Sequence, residues 1–283
     1  MLLEEFRSPR HGYDVAMATP TERIRAARAA VVAELRAAGC VFAEQEAAVL
    51  TSAGATSEEL ATMVRRRVVG EPLEHIVGWA EFRGMRIGVA PGVFVPRRRT
   101  ELLVTEAAAR AAQGSVVVDL CCGAGGVGVA MLAAVRDIEL HAADIDPVAV
   151  RCARENIGAR GTVWEGDLYE PLPARLRGHI DLLVVNTPYV PADEIQFMPP
   201  EARLHEPRTA LDGGEDGLDI QRRVAAGAQD WLAPGGHLLI ETSEHQAPVT
   251  AALFTAAGLT ARVVHNDELD TPGAVIGTNP TSS

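Results

Sequence analysis

Apolar side chains recur every three or four positions over 21–38, at Ile24, Ala27, Val31, Val32 and Leu35, and similar spacing runs through 43–51 and 57–69. That period gathers them on one face of a helix, so the opening third predicts three packed amphipathic helices. Thr19, Pro20, Thr21 and Glu22 supply the starting signal of the first. The pattern breaks at Gly70 to Pro72, and over 80–95 it becomes alternating: Phe82, Ile87 and Val89 face one way with Gly84 at a turn, which predicts a hairpin. From Thr100 onward helical stretches (100–113, to about 135, 147–158, 217–232, and from 246) alternate with β-branched strands (115–120, 138–143, near Val163, 180–185, 236–241, 259–265 and 274–278). Alternation of this kind predicts an α/β domain whose largely parallel sheet is covered on both faces. The expected organisation is a leader without periodicity (1–18), a helical domain (19–79), a hairpin connector (80–98) and an α/β domain (99–283). Met17 is the expected natural start.

Composition narrows the chemistry. The chain of 283 residues is 47% hydrophobic and 23% charged, enough to bury a core. All 26 basic side chains are arginine against 38 acids, so no lysine chemistry is open to it. Residues 1–100 carry 14 arginines against 12 acids, and residues 101–283 carry 12 against 26. An acidic second part repels polyanions, so bare nucleic acid is a disfavoured partner. The runs Arg65 to Arg67 and Arg97 to Arg99 read first as solvated faces or local ion pairs, and second as guides for a partner. Cys40, Cys121, Cys122 and Cys152 lack metal or disulfide spacing and fit reduced thiols in the cytosol. The histidines show no metal-binding pattern, so no metal is expected. No sequence segment reads as a secretory signal or a membrane span, because the apolar window 116–135 is broken by glycines.

The string V-V-V-D-L-C-C-G-A-G-G-V-G joins a strand to a helix, with Cys121, Cys122, Gly123, Ala124 and Gly125 in the turn. Glycines there let a ligand approach the backbone at a helix N-terminus. A plain strand-to-helix turn and a dinucleotide site are both compatible with it, the latter because Asp144 ends the next strand. Asp119 shifts the reading: an acid ahead of the glycines suits a ligand with a cationic amino-acid end and no pyrophosphate, as in S-adenosylmethionine. Asp167, followed by Leu168, ends the third strand. Each aspartate alone reads as a solvated loop acid; their recurrence at three successive strand ends points to one cofactor crevice.

The fourth strand ends in Asn186-Thr187-Pro188-Tyr189. These residue types commonly close a strand, yet their place beside the glycine loop suits methyl transfer to nitrogen. A planar amide or arylamine nitrogen is a poor nucleophile, since its lone pair is delocalised. The Asn186 side-chain oxygen and the Thr187 carbonyl can take its two N–H bonds, Pro188 stiffens the loop and Tyr189 offers a flat wall.

With these segments in view the chain resembles the HemK/PrmC-like protein-(glutamine-N5) methyltransferases. Val95-Pro96-Arg97 with Thr100-Glu101 is similar to the family's PR-x-x-TE segment, Glu206-Pro207 with 211–217 to its E-P…G-G-x-D-G segment, and 70–78 to its G-E-P turn. The resemblance runs from about residue 20 to the end. It implies a seven-stranded, Rossmann-like class I S-adenosylmethionine-dependent methyltransferase domain behind a substrate-recognising helical domain. It further implies transfer to a glutamine of a peptide-chain release factor or similar translation protein in the cytoplasm. On that resemblance Asn186, Thr187, Pro188 and Tyr189 are the candidate catalytic residues. Asp119, Cys121, Cys122, Gly123, Ala124, Gly125, Asp144, Asp167, Leu168 and Asn186 are the candidate cofactor residues. Thr187 stands where the family usually has proline, and C-C-G-A-G where it commonly has G-T-G-x-G, which suggests a subgroup with its own substrate. Two alternatives stay open: an amino-methyltransferase acting on adenine or guanine, and a non-catalytic adaptor.

Overall fold

The structure, a computed structural model, describes residues 20–54, 56–266 and 271–281. The expected leader and Met17 lie outside them. The chain divides into two compact units between Val69 and Gly70.

The first unit contains α1 (Pro20–Ala37), α2 (Ala43–Ala53) and α3 (Ser57–Val68). Val31, Leu35, Ala43, Ala47, Leu50 and Val64 are its interior. Helix α3 starts at a reciprocal cap, in which the Thr56 hydroxyl accepts from the Glu59 N–H and the Glu59 carboxylate accepts from the Thr56 N–H. Arg67 is buried and bonds Glu46 through Nε and Nη2 at 2.6 and 3.1 Å. The run Arg65 to Arg67 is thus not a uniform basic surface, because its last member faces inward.

The second unit opens with α4 (Leu73–Val77), which ends at Gly78 in the left-handed conformation, φ 80°. The sequence reading placed this turn in the helical domain; here His75 Nε2 bonds the Val93 carbonyl at 2.8 Å and anchors α4 to the second unit. The hairpin β1 (Trp79–Phe82) and β2 (Met85–Gly88) turns through Arg83 and Gly84, both at positive φ. Such a two-residue turn matches the natural twist of paired strands.

The large sheet has the order β5-β4-β3-β6-β7-β9-β8. Its strands are β3 (Val116–Leu120), β4 (Glu139–Asp144), β5 (Gly161–Glu165), β6 (Ile180–Val185), β7 (Leu232–Glu241), β8 (Thr260–Asn266) and β9 (Thr271–Thr278). The first five pair in parallel, and β9 runs antiparallel between β7 and β8. Helices α5 (Glu101–Ala108), α6 (Gly126–Ala134) and α7 (Pro147–Ile157) cover one face; α9 (Asp219–Trp231) and α10 (Ala247–Ala256) cover the other. Period two along each strand sorts the core: Val117, Leu182 and Val184 pack under the first group, and Val118, Leu120, Leu183 and Val185 under the second. The expected long loop after β6 contains the short helix α8 (Pro200–His205), and β7 starts four residues earlier than its pattern suggested. Among the described residues no helix is long and apolar enough to cross a membrane.

Candidate active site

From β3 the chain builds outward through β4 and β5, then returns to β6 on the other side of β3. Crevices form at the carboxyl ends of strands where the winding reverses. A cavity of about 490 Å³ opens there, lined among others by Phe82, Asp144, Asp167, Asn186, Tyr189 and Glu206. All of the sequence-derived site residues line it except Gly125, which lies behind the loop against α7.

Three residues of the loop after β3 have left-handed backbone: Cys121 (φ 54°), Gly123 (φ 53°) and Gly125 (φ 76°). A side chain at Gly125 would also press on Ala153 and Ile157 at 3.2 Å, so α7 can approach only because glycine is there. Cys121 occupies the same kind of backbone with a side chain. Burial, reinforced by Asp144 and Asp119, pushes both adjacent thiols well above their ordinary range, which suppresses the thiolate. None of the four cysteines forms a disulfide.

Asp119 lies on the α6 side of β3, where its Oδ2 accepts from the Gly128 N–H at 2.9 Å. Burial pushes its carboxyl up to about 7; the Gly128 bond opposes this and the Asp144 charge adds to it. Asp144 ends β4 and accepts from the Gly123 N–H at 2.8 Å and the Asp146 N–H at 2.9 Å. Burial raises its pKa too, against those two bonds. The Ile145 N–H also favours the charged carboxylate, and because a carboxylate has roughly four acceptor positions, room remains for a ligand. Asp167 is engaged differently: its Oδ2 meets Arg223 Nη2 of α9 at 2.7 Å, a partner the sequence reading did not foresee. Leu168, next to it, is buried and has a left-handed φ of 49°.

Asn186 follows β6. Its Nδ2 donates to the Thr100 hydroxyl at 3.3 Å, while its Oδ1 is buried with no partner. The Thr187 hydroxyl is likewise buried and unpartnered. An acceptor left in this state costs about 1–3 kcal/mol, which an incoming N–H offsets. Glu241, at the end of β7, accepts from Arg99 Nε at 2.9 Å and lies against Thr100; burial raises its pKa, with Arg99 opposing. The Arg99 guanidinium also stands 5.2 Å from the centroid of the Tyr189 ring. Arg97 pairs with buried Glu206, which also accepts from the Val95 N–H at 3.3 Å. Arg97 and Arg99 of the 97–99 run therefore brace the cleft through these ion pairs.

Farther along, the Val190 N–H and carbonyl bond Leu211 and Gly213, and the Ala192 N–H bonds Gly214. Gln246 Nε2 donates to the Tyr189 carbonyl at 2.9 Å. Gly217, at φ 76°, fits so closely under that carbonyl that a Cβ would collide with it. The L-D-G-G-E-D-G string of 211–217 is thus the clamp that fixes the 186–189 loop. Among the described residues no cluster of histidine, cysteine and carboxylate could hold a metal ion.

Residues 84–215 match the methyltransferase small domain. The release factor glutamine methyltransferase of Geobacter sulfurreducens is 39% identical over 207 residues, which span 71% of this chain and 72% of that one. The chain belongs to the release factor glutamine methyltransferase family. A 4-amino-L-phenylalanine/4-methylamino-L-phenylalanine methyltransferase of Streptomyces pristinaespiralis is as similar, 40% identical over 205 residues and 69% of either chain. Among solved structures, a methyltransferase from Pyrococcus furiosus superposes with a TM-score of 0.53 at 15% identity, covering 80% of this chain and all of that one. That likeness establishes the class I methyltransferase fold. Residues of the 95–101 and 206–217 segments line the cleft, whereas 70–78 reaches it through the bond of His75 to the carbonyl of Val93, a lining residue.

Proposed function

We propose that the protein transfers a methyl group from S-adenosylmethionine to the side-chain amide nitrogen of a glutamine in a peptide-chain release factor. Its relatives' named reaction supports this, and the observation that carries it is the buried, unpartnered Oδ1 of Asn186 beside the loop after β3.

The cleft fits the cofactor. Asp144 keeps free acceptor positions at the end of β4, where a ribose would reach. Buried Asp119 supplies negative potential for a cationic amino-acid end, and Leu168 beside Asp167 offers a backbone edge and an apolar contact for an adenine. Cys121, Cys122, Gly123 and Ala124 contribute backbone rather than thiol chemistry, and Gly125 lets that loop sit against α7. Bound here, S-adenosylmethionine supplies an electrophilic methyl group on a sulfonium.

The chain's part is positioning. Asn186 Oδ1 and the Thr187 carbonyl accept the two N–H bonds of the substrate amide, which turns its out-of-plane lone pair toward the methyl group. Pro188 limits the loop's freedom, and Tyr189, held by Gln246 and Arg99, forms the wall against which the planar amide rests. The acceptors also favour the positive charge that develops on the attacking nitrogen as the N–C bond forms and the methyl–sulfur bond breaks, and one of the two N–H protons then leaves to solvent. Thr187 needs only its carbonyl for this role, so replacement of proline leaves the chemistry intact. We place the reaction in the cytoplasm, with the helical unit contacting the protein substrate.

A second reading is favoured by the Streptomyces relative: an arylamine of a free amino acid presents the same planar NH₂ group with a delocalised lone pair. Isotopically labelled cofactor offered with a release factor, 4-amino-L-phenylalanine and nucleic acid separates these substrates. Label on glutamine is expected; label on the arylamine or on adenine or guanine overturns the proposal. Asn186→Ala should abolish transfer and keep cofactor affinity, whereas Asp144→Ala should weaken the cofactor. Equal loss of affinity in both would sink this division of roles.

A further inference from the structure

Asn156, on α7, has no place in the site residues above, yet its carboxamide is fully engaged. Its Oδ1 accepts from the Gly88 N–H at 2.9 Å, and its Nδ2 donates to the Gly88 carbonyl at 2.8 Å and to the Ala124 carbonyl at 2.8 Å. Gly88 ends the hairpin, and Ala124 is the middle of the loop after β3. One side chain thus replaces a β-ladder partner for the hairpin and simultaneously grips the loop. The fit depends on Gly88, where a Cβ would stand 3.0 Å from Asn156 Oδ1. Phe82 of the same hairpin lines the cleft and packs on Gly126, the first residue of α6. The hairpin is therefore a wall of the cofactor cleft.

We propose that Asn156 is a positioning residue for the cofactor, tying the hairpin wall and the loop after β3 into one preformed surface. Without the Nδ2 bond the Ala124 carbonyl loses its side-chain anchor to α7, and a loop with three left-handed residues in five samples other conformations. Binding must then order it again, which lowers affinity without touching any group that contacts the substrate. Cys152 supplies the internal control. Its Sγ donates to the same Gly88 carbonyl at 3.1 Å and accepts a long 3.8 Å bond from Asn156 Nδ2, but does not reach Ala124.

The inference rests on the reading that the cleft binds S-adenosylmethionine. The test is calorimetric titration of that cofactor into the full chain and into Asn156→Ala, Asn156→Asp and Cys152→Ala, with hydrogen exchange of the cofactor-free proteins at the Gly88, Gly123 and Gly125 amides. Asn156→Asp keeps the acceptor for the Gly88 N–H and loses both donations. Expected is a roughly tenfold rise in Kd for either Asn156 variant, faster exchange at Gly123 and Gly125 in both, and Kd within about twofold of wild type for Cys152→Ala. If Asn156→Ala does not fold, Asn156→Asp decides. A folded Asn156 variant with wild-type affinity, or an equal loss in Cys152→Ala, overturns the inference. A wild-type protein that binds no cofactor overturns the reading of the cleft instead.

Discussion

Replacing Asp119 by asparagine should make the protein more stable at neutral and alkaline pH. Burial lifts this carboxyl from 3.8 to about 7, so between those values the folded chain holds a proton that the unfolded chain has released. Stability then falls as pH rises, by about 1.4 kcal/mol per unit, and levels off once pH passes the folded value. Three units give a penalty on the order of 4 kcal/mol, which local relaxation and water reduce to roughly 2–4 kcal/mol. Asparagine retains an acceptor for the Gly128 N–H and has no charge to bury, so the variant lacks this slope. Urea unfolding of both proteins supplies the measurement. The curves should agree within about 1 kcal/mol near pH 4.5 and separate by about 2–4 kcal/mol near pH 8, with the variant above. Asp144, Glu206 and Glu241 are also raised by burial, but they are common to both proteins and largely cancel in the difference. A difference that stays flat across this range would refute the argument from burial. In the wild type, a cationic cofactor should lower the Asp119 pKa, so its binding near pH 6.5 should release protons, seen as buffer-dependent binding heats.

Three other outcomes follow from the site. Thr100→Val removes the hydroxyl that holds Asn186 Nδ2 and should lower kcat about tenfold with cofactor Kd unchanged, while Thr100→Ser should restore most of it; a valine variant of full activity excludes the orienting role. Gly217→Ala should displace the Tyr189 carbonyl and cost activity far more than cofactor affinity, which parallel kinetics and titration would separate. Gly125→Ala should do the reverse, since its Cβ presses on α7 behind the cofactor loop; cofactor affinity unchanged from wild type would count against that packing.

Much of the cleft is legible in the sequence because it is built from local signals. The glycines after β3 and the acids at the ends of β3, β4 and β5 each belong to one strand and its exit, where composition and period speak directly. Asn186 is legible for the same reason. What holds these groups in place is not. Thr100 reaches Asn186 across 86 positions, Glu241 meets Arg99 across 142, and Asn156 meets Gly88 across 68. Periodicity carries no information at such separations. Asp167 shows the cost: as a strand-end acid it looked free for a ligand, but the fold brings Arg223 of α9 against it. The order of the last strands is hidden likewise, since their alternation says that they are half-buried but not which neighbour each takes.

That order bears on how the chain assembles as it is made. Strands β3, β4 and β5 emerge in sequence and can pair as they appear, each connected by one helix. Strand β8 cannot, because its neighbour in the sheet is β9, and β7 is kept from it by that same strand. During synthesis β8 therefore waits with both edges unpaired until 271–278 have left the ribosome. The half that holds the cofactor loop has a route to structure ahead of the half that completes the sheet, and ligand present during translation would stabilise an intermediate rather than only the finished protein.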